Sequence, residues 1–384
     1  MDIGIDKIGF YTPKKYIDIV ELAKARKVDP DKFTIGIGQS KQAVPLEYQD
    51  SVTMAAEAAD QIISKDDNIG LVIVGTESSV DESKAVATFL VDLLDLPENI
   101  RSFEIKEACY GATAGLKMAE GFVALNPDKK ALVIASDIAR YGINTPGEVT
   151  QGAGAVAMLV SQDPKILKFD HEEVYMTKNV GDFWRPTFSK TAFARGKFSN
   201  QIYVEFFSEL WKKYQNDFNQ SVDDFDTMLF HVPYTKMGMK ALKTLKDQID
   251  PDKFDSLSKN YQSSVQMGRE VGNLYTGSLY LALISYLING DPKDNEKILL
   301  FSYGSGAVGE LYSATIQPEF KNNLDSEKIK KVLKNREKIS ISEYENIFNE
   351  SPANGYITRD TDVLDKFYLR EIKESERLYK KMDH

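Results

Sequence analysis

A chain of 384 residues with 42% hydrophobic and 28% charged side chains has the make-up of a globular protein of roughly two or three domain-sized units. Its net charge of −10 repels nucleic acid and anionic membranes, and one cysteine beside three histidines supplies neither an internal disulfide nor a typical zinc site. The expectation is a cytoplasmic protein without metal, nucleic acid or membrane partners, whose anionic ligands, if any, meet a local cluster of Lys and Arg.

The opening MDIGIDKIGFYTP reads directly as a strand, Ile3 to Phe10, with no basic-then-apolar leader, so no signal peptide is expected. Strand-like segments at Gly70 to Gly75, Ser102 to Ile105 and Ala131 to Ser136 alternate with helical ones at Asp50 to Ile63, Ser83 to Leu94 and Ala114 to Leu125. Such alternation predicts an α/β layered fold with mostly parallel strands. A further strand, GAGAVAMLV, follows at Gly152 to Val160.

The second half repeats the plan. A helical stretch around Tyr203 to Phe218 leads to a strand at Thr227 to His231, then to helices near Lys236 to Lys246, Lys253 to Met267 and Thr276 to Ile288. The apolar run Gly277 to Ile288 is too short to span a bilayer and reads as a buried helix. Strands at Lys297 to Gly306 and Ala307 to Ile316 flank a glycine turn. From about Lys321 the tail is charged, with helical Leu324 to Asn335 and Ser342 to Asn349 and strand-like Phe367 to Ile372; it either packs on the surface or shapes an entrance.

GSGAVGE at Gly304 to Glu310 echoes GAGAVAM at Gly152 to Met158, and NLYTGSLYL at Asn273 to Leu281 echoes CYGATAGL at Cys109 to Leu116. Echoes in a common order predict two duplicated halves about a pseudo-twofold axis. The division is 1–165 for the first half with the nucleophile, 166–220 for a connecting and cap segment, and 221–384 for the second half with the tail. Glu77 and His231 would each end a strand, Cys109 and Asn273 would each begin a helix, and all four would converge on one cleft.

Cys109 stands at a strand-to-helix turn, where unpaired N–H groups and the helix dipole favour a thiolate; it is either a nucleophile of lowered pKa or one more small buried residue. Glu77, after an apolar strand, is either a partly desolvated general base or a carboxylate at the start of the next helix. His231 is a satisfied core imidazole or a catalytic partner; His171, in a polar DHEE run, and the terminal His384 read as peripheral. Ser305, in GSG, either donates its N–H to an oxyanion together with Cys109, each such donor being worth about 3 to 4 kcal/mol, or marks a tight turn. Lys236 and Lys240 share a helix face that either attracts phosphates or is simply solvated.

The motifs IGIGQ (Ile35 to Gln39), GTESSVD (Gly75 to Asp81), KEACYGAT (Lys106 to Thr113), SDIARYG (Ser136 to Gly142), TQGAGAVAM (Thr150 to Met158), DFWRP (Asp182 to Pro186), HVPYTKMG (His231 to Gly238), GNLYTGSLY (Gly272 to Tyr280) and YGSGAVGE (Tyr303 to Glu310) run nearly end to end. In that order they resemble bacterial 3-hydroxy-3-methylglutaryl-CoA synthases, condensing enzymes of the thiolase superfamily in the mevalonate pathway. The resemblance implies an αβαβα layered fold and a homodimer. It implies acetylation of Cys109 by acetyl-CoA, proton removal from the acetyl methyl by Glu77, attack on acetoacetyl-CoA oriented by His231, and hydrolysis of the thioester. By the same resemblance Asn273 contacts the acetoacetyl group, Asp137 and Asp182 arrange the nucleophile and water, and Tyr110, Thr150, Phe183 and Tyr303 line the pocket. Lys236 and Lys240 lie near the CoA phosphates, and neither metal nor redox cofactor is implied.

One segment departs from the family. FSKTAFARGKFSNQIY, Phe188 to Tyr203, carries Arg195 before Gly196 where an acid is expected. It either reshapes the acyl pocket, makes another CoA contact, or is a loop that drifts freely.

Overall fold

The computed structural model describes residues 1–189 and 191–382, so His384 lies outside the described residues. Nine strands form one large sheet: β1 (Ile3–Tyr11), β2 (Ile69–Gly75), β3 (Arg101–Ile105), β4 (Lys130–Ala139), β5 (Gly152–Gln162), β6 (Leu167–Thr177), β7 (Thr227–Phe230), β8 (Lys297–Gly304) and β9 (Val308–Ile316). Their spatial order is β7-β8-β9-β6-β1-β5-β4-β2-β3.

Read inward from β3, the first half runs β3-β2-β4-β5-β1; read inward from β7, the second runs β7-β8-β9-β6. The second order repeats the first with no counterpart of β3. Polarity repeats too: β2 is parallel to β4 as β7 is to β8, and β4–β5 and β5–β1 are antiparallel as β8–β9 and β9–β6 are. Among the described residues the strand pairing that joins the halves within the sheet is Gly4↔Lys168 and Ile5↔Leu167, between β1 and β6. The duplication expected from the short echoes is therefore present in the topology.

The expectation of mostly parallel strands does not survive. Within the large sheet, among the described residues, only β2–β3, β2–β4 and β7–β8 are parallel. The two glycine-led echo segments, β5 and β9, fold straight back on β4 and β8, and a directly returning strand must be antiparallel. The strand β6 was not anticipated, because its DHEE run looks like solvated chain. Glu172 there is held by Lys297 Nζ at 2.7 Å, Gln220 Nε2 at 2.7 Å and Ser313 Oγ at 3.0 Å, so the acids are paired rather than loose. His171 does lie at the surface, on Glu120 at 2.6 Å.

Helices cover and separate the half-sheets. Ser51–Ala59 (α1) starts with a capping box, Asp50 accepting from the Val52 and Thr53 N–H groups while Thr53 Oγ1 accepts from Asp50 N–H. It packs on β1, β4 and β5, and Ser136 Oγ reaches the Ser51 carbonyl at 2.7 Å. Gly111–Leu125 (α2) lies on the other face of the first half, where Gly115 abuts Ile73 and Val133. Gly196–Phe218 (α3) covers β6 and β9. Its buried Tyr203, Phe206, Phe207, Leu210, Trp211 and Tyr214 recur at helical spacing, each burial being worth about 1.5 to 3 kcal/mol. Ser278–Asn289 (α4), buried almost throughout, meets α2 in the middle layer, where Thr113 Oγ1 lies 2.6 Å from Tyr280 Oη and 2.8 Å from Ser302 Oγ of β8.

The tail crosses back onto the first half. Glu337–Lys338 pairs with Lys15–Asp18, and buried Asp365 accepts from Tyr11 Oη at 2.8 Å and Gln49 Nε2 at 2.7 Å. Farther along, Tyr379 Oη and Arg377 hold Asp50 at 2.6 and 3.2 Å.

Candidate active site

Glu77 lies just beyond β2 and Cys109 just before α2. Gly75 lets them meet: a Cβ there would stand 2.4 Å from Ala112 N and 2.6 Å from the Gly111 carbonyl carbon, so only glycine permits the strand to end against the helix. Gly304 closes in from the second half, where a Cβ would be 2.7 Å from the Glu107 carbonyl oxygen. Between these walls Ala108 takes a left-handed φ of +43°, a strained backbone of the kind that gathers at active sites. Cys109 Sγ donates to Glu77 Oε1 at 3.2 Å.

The lowered thiol pKa expected from the helix N-terminus is overturned. Burial and then the Glu77 charge push the Cys109 thiol well up. Burial and then the Asp137 charge carry Glu77 up to about 8, against the opposing pull of the Cys109 hydrogen bond and Arg185. The pair therefore rests protonated, with Glu77 able to take the thiol proton once ionised.

Asp137 fixes this arrangement from below rather than from the cavity. Its Oδ1 accepts from Glu77 N–H at 2.7 Å, Ser78 Oγ at 2.9 Å and Thr76 Oγ1 at 3.0 Å, while Oδ2 accepts from Thr276 Oγ1 at 2.6 Å and N–H at 3.1 Å. Burial still lifts its carboxyl to about 6, despite the Thr276 and Glu77 bonds that oppose it. Asp182 plays a similar part opposite, accepting from Tyr303 Oη at 2.7 Å and Gly306 N–H at 3.0 Å and so holding the turn that carries Ser305.

Cys109, Thr150, Phe183, His231, Asn273, Tyr303 and Ser305 all line one cavity of about 720 Å³, within the range of small-ligand sites. His231 follows β7 as Glu77 follows β2, and its carbonyl accepts from Tyr203 Oη at 2.6 Å. Burial drops its pKa to about 3, so the ring is a neutral imidazole, and its buried Nδ1 has no hydrogen-bond partner among the described residues. Asn273 Oδ1 accepts from Tyr275 N–H at 2.8 Å and Ser278 Oγ at 2.9 Å, which leaves its amide to Tyr141 Oη at 3.0 Å.

Other expected residues stand elsewhere. Tyr110 is turned from the cavity, its hydroxyl on Glu310 at 2.5 Å. Lys240 Nζ donates to Tyr234 Oη at 2.6 Å, and Tyr234 lines the cavity, so this lysine sits at the rim. Lys236 flanks Gly38, beside the cavity residue Ile37. Arg195 is exposed and stacks over Trp184, with 5.3 Å from guanidinium to ring, while its neighbours Ala194 and Gly196 line the cavity. Sequence reasoning missed Tyr141 and Tyr275, whose rings form a triangle with Phe183 at centroid distances of 5.9 to 6.0 Å. Both lie inside quoted motifs, which is the signal that was available. Among the described residues no group of His, Cys, Asp or Glu is placed to hold a metal ion, and no helix is long and apolar enough to cross a membrane.

Comparison with known proteins agrees over the whole length. The family model described as hydroxymethylglutaryl-coenzyme A synthase N terminal matches residues 1–165, and the C-terminal model matches 167–249 and 243–379. The chain is 49% identical to the hydroxymethylglutaryl-CoA synthase of Enterococcus faecalis over 379 residues, covering 98% of this chain and 97% of that one. A solved HMG-CoA synthase complexed with CoA superposes with a TM-score of 0.96 at 40% identity, each chain covered in full. MvaS in complex with 3-hydroxy-3-methylglutaryl coenzyme A superposes with a TM-score of 0.88 at 34% identity, covering 100% of this chain and 99% of that one.

Proposed function

The chain belongs to the hydroxymethylglutaryl-coenzyme A synthase family, and from that premise we infer how its residues divide the work. It is an acyl-CoA condensing enzyme that joins acetyl-CoA, acetoacetyl-CoA and water into 3-hydroxy-3-methylglutaryl-CoA and CoA, a reaction of the mevalonate pathway. One observation carries the assignment of roles: the only thiol in the chain touches a buried carboxyl whose pKa is raised to about 8.

Ionised Glu77 takes the Cys109 proton, sulfur adds to the acetyl-CoA carbonyl, and CoA leaves with the proton returned by Glu77. The N–H groups of Cys109 and Ser305 receive the oxyanion. Freed again as a carboxylate, Glu77 removes a proton from the acetyl methyl. The resulting carbanion attacks the ketone carbon of acetoacetyl-CoA, and the new alkoxide takes up that proton. His231, neutral because it is buried, polarises the ketone by a hydrogen bond rather than by charge, and Asn273 with Tyr141 orients the same group. Thr150, Phe183 and Tyr303 shape the pocket, Tyr110 supports the Cys109 turn from behind, and Lys236 and Lys240 meet CoA phosphates at the rim. These steps move protons and acyl groups only, so they call for no metal and no redox cofactor.

Incubation with carbon-labelled acetyl-CoA and unlabelled acetoacetyl-CoA should place label first on the Cys109 peptide and then in the newly formed free carboxymethyl arm of the product. Label that reaches product without appearing on Cys109 would remove the covalent route. The working unit we propose is a homodimer in the cytoplasm, a compartment that keeps the lone thiol reduced. The half-exposed edge strand β3 offers unpaired backbone to a second copy. Light scattering that returns the mass of one chain would remove the dimer.

A further inference from the structure

Glu77 and Cys109 open onto different spaces. The thiol lines the main cavity, whereas Glu77 lines a second cavity of about 460 Å³, and neither residue lines the other's cavity. The 3.2 Å contact between Sγ and Oε1 ties a side chain of the first cavity to one of the second.

The two cavities differ in character. The main one is lined by Tyr141, Phe183, Tyr275 and Tyr303 beside His231, Asn273 and Ser305, the space that the acyl-CoA substrates would fill. The second is lined by Arg140, Arg185, Lys106 and Arg377 as well as by acids, and its rim includes the exposed Ser79, Thr187 and Ser351. One wall, formed by Ile347, Glu350, Ser351 and Pro352, comes from the tail. Its neighbour Phe348 is fixed by Arg140, which donates to the Phe348 carbonyl at 3.3 Å and stacks 4.7 Å from its ring.

We propose that this rear cavity is the inlet through which water reaches the Cys109 thioester and through which Glu77 exchanges protons with solvent. The inference rests on the acyl-Cys109 route of the preceding subsection. After condensation the main cavity holds the CoA end of the product, with its acyl carbon still bonded to Cys109, so the hydrolytic water must come from elsewhere. Water entering from the rear passes Glu77, which takes one proton as the oxygen bonds to the thioester carbon. The C–S bond breaks, sulfur takes that proton back, and the carboxylic acid formed releases its own proton to solvent through the same opening. Atoms and charge balance without any other reactant. The tail thereby acquires a role, since it forms a side of the water path.

The test separates filling the front from filling the rear. Enzyme carrying labelled acetyl on Cys109 is isolated, and loss of label is followed with the main cavity saturated by a non-reactive thioether analogue of acetoacetyl-CoA. Hydrolysis should continue in the unaltered enzyme. Thr187→Trp and Ser351→Trp fill the rear mouth, one from the 185–189 loop and one from the tail, and each should slow hydrolysis at least about tenfold, the span of a modest barrier change, while Cys109 still reaches full acetylation as proof of folding. Hydrolysis that stops when the front is filled in the unaltered enzyme, or that is unchanged in both tryptophan variants, overturns the rear inlet. Failure to label Cys109 at all would instead overturn the route on which it rests.

Discussion

Glu77→Gln is expected to slow carbon–carbon bond formation by about two to four orders of magnitude, the usual contribution of a positioned general base. Glutamine keeps the size of the side chain and its position 3.2 Å from Cys109 Sγ, but it cannot take a proton. The loss should therefore fall on kcat, with substrate affinities held within a small factor. Because burial and Asp137 raise Glu77 to about 8, the free enzyme at pH 7 holds it mostly protonated. The profile of kcat/KM should accordingly climb close to tenfold per pH unit below that value and flatten above it. Of the groups facing Glu77, Asp137 and Glu107 push the limb up in pH, while Cys109 and Arg185 pull it down. A limb centred near the ordinary carboxylate range would show the carboxyl to be solvated, and full kcat in the Glu77→Gln enzyme would dismiss it as the base.

Cys109→Ser should abolish the acetyl-enzyme and with it condensation. The hydroxyl fits the same turn, yet an alcohol is far less acidic than a thiol, and Glu77 at about 8 is too weak a base to ionise it usefully. The expected deficit is at least about four orders of magnitude, comparable to removing a catalytic nucleophile elsewhere. Binding of acetyl-CoA should persist, because the aromatic walls and the rim are untouched. Calorimetry on the Cys109→Ser enzyme checks that point, and a labelled ester formed on the substituted hydroxyl at the original rate would defeat the argument.

The parts of the site visible in the sequence were those tied to chain punctuation. A lone cysteine before a helix, a carboxylate after an apolar strand and a histidine at a strand end each announce themselves in one dimension. The sign of the Cys109 shift was not visible, because it depends on Glu77 arriving from a different strand and on burial that a local turn cannot reveal. Tyr141 and Tyr275 were overlooked for a related reason: tyrosines beside a turn look like any core aromatics until the loops that bear them are brought together. In the fold, β6 was hidden by acids whose partners Lys297 and Gln220 lie far along the chain. The rear cavity needed side chains from the first half, the 185–189 loop and the tail, a set with no common motif.

Asp137 binds the Thr76–Ser78 loop with one oxygen and Thr276 with the other, so a single ion clamps both duplicated halves. Hydrogen bonds to a charged group contribute about 1.5 to 3 kcal/mol apiece, and a hinge between the halves would have to give up two of them inside a dry core. Opening like a clamshell is thus made costly by this one carboxylate. Ligands therefore enter a frame whose halves stay joined at Thr276 and the Thr76–Ser78 loop.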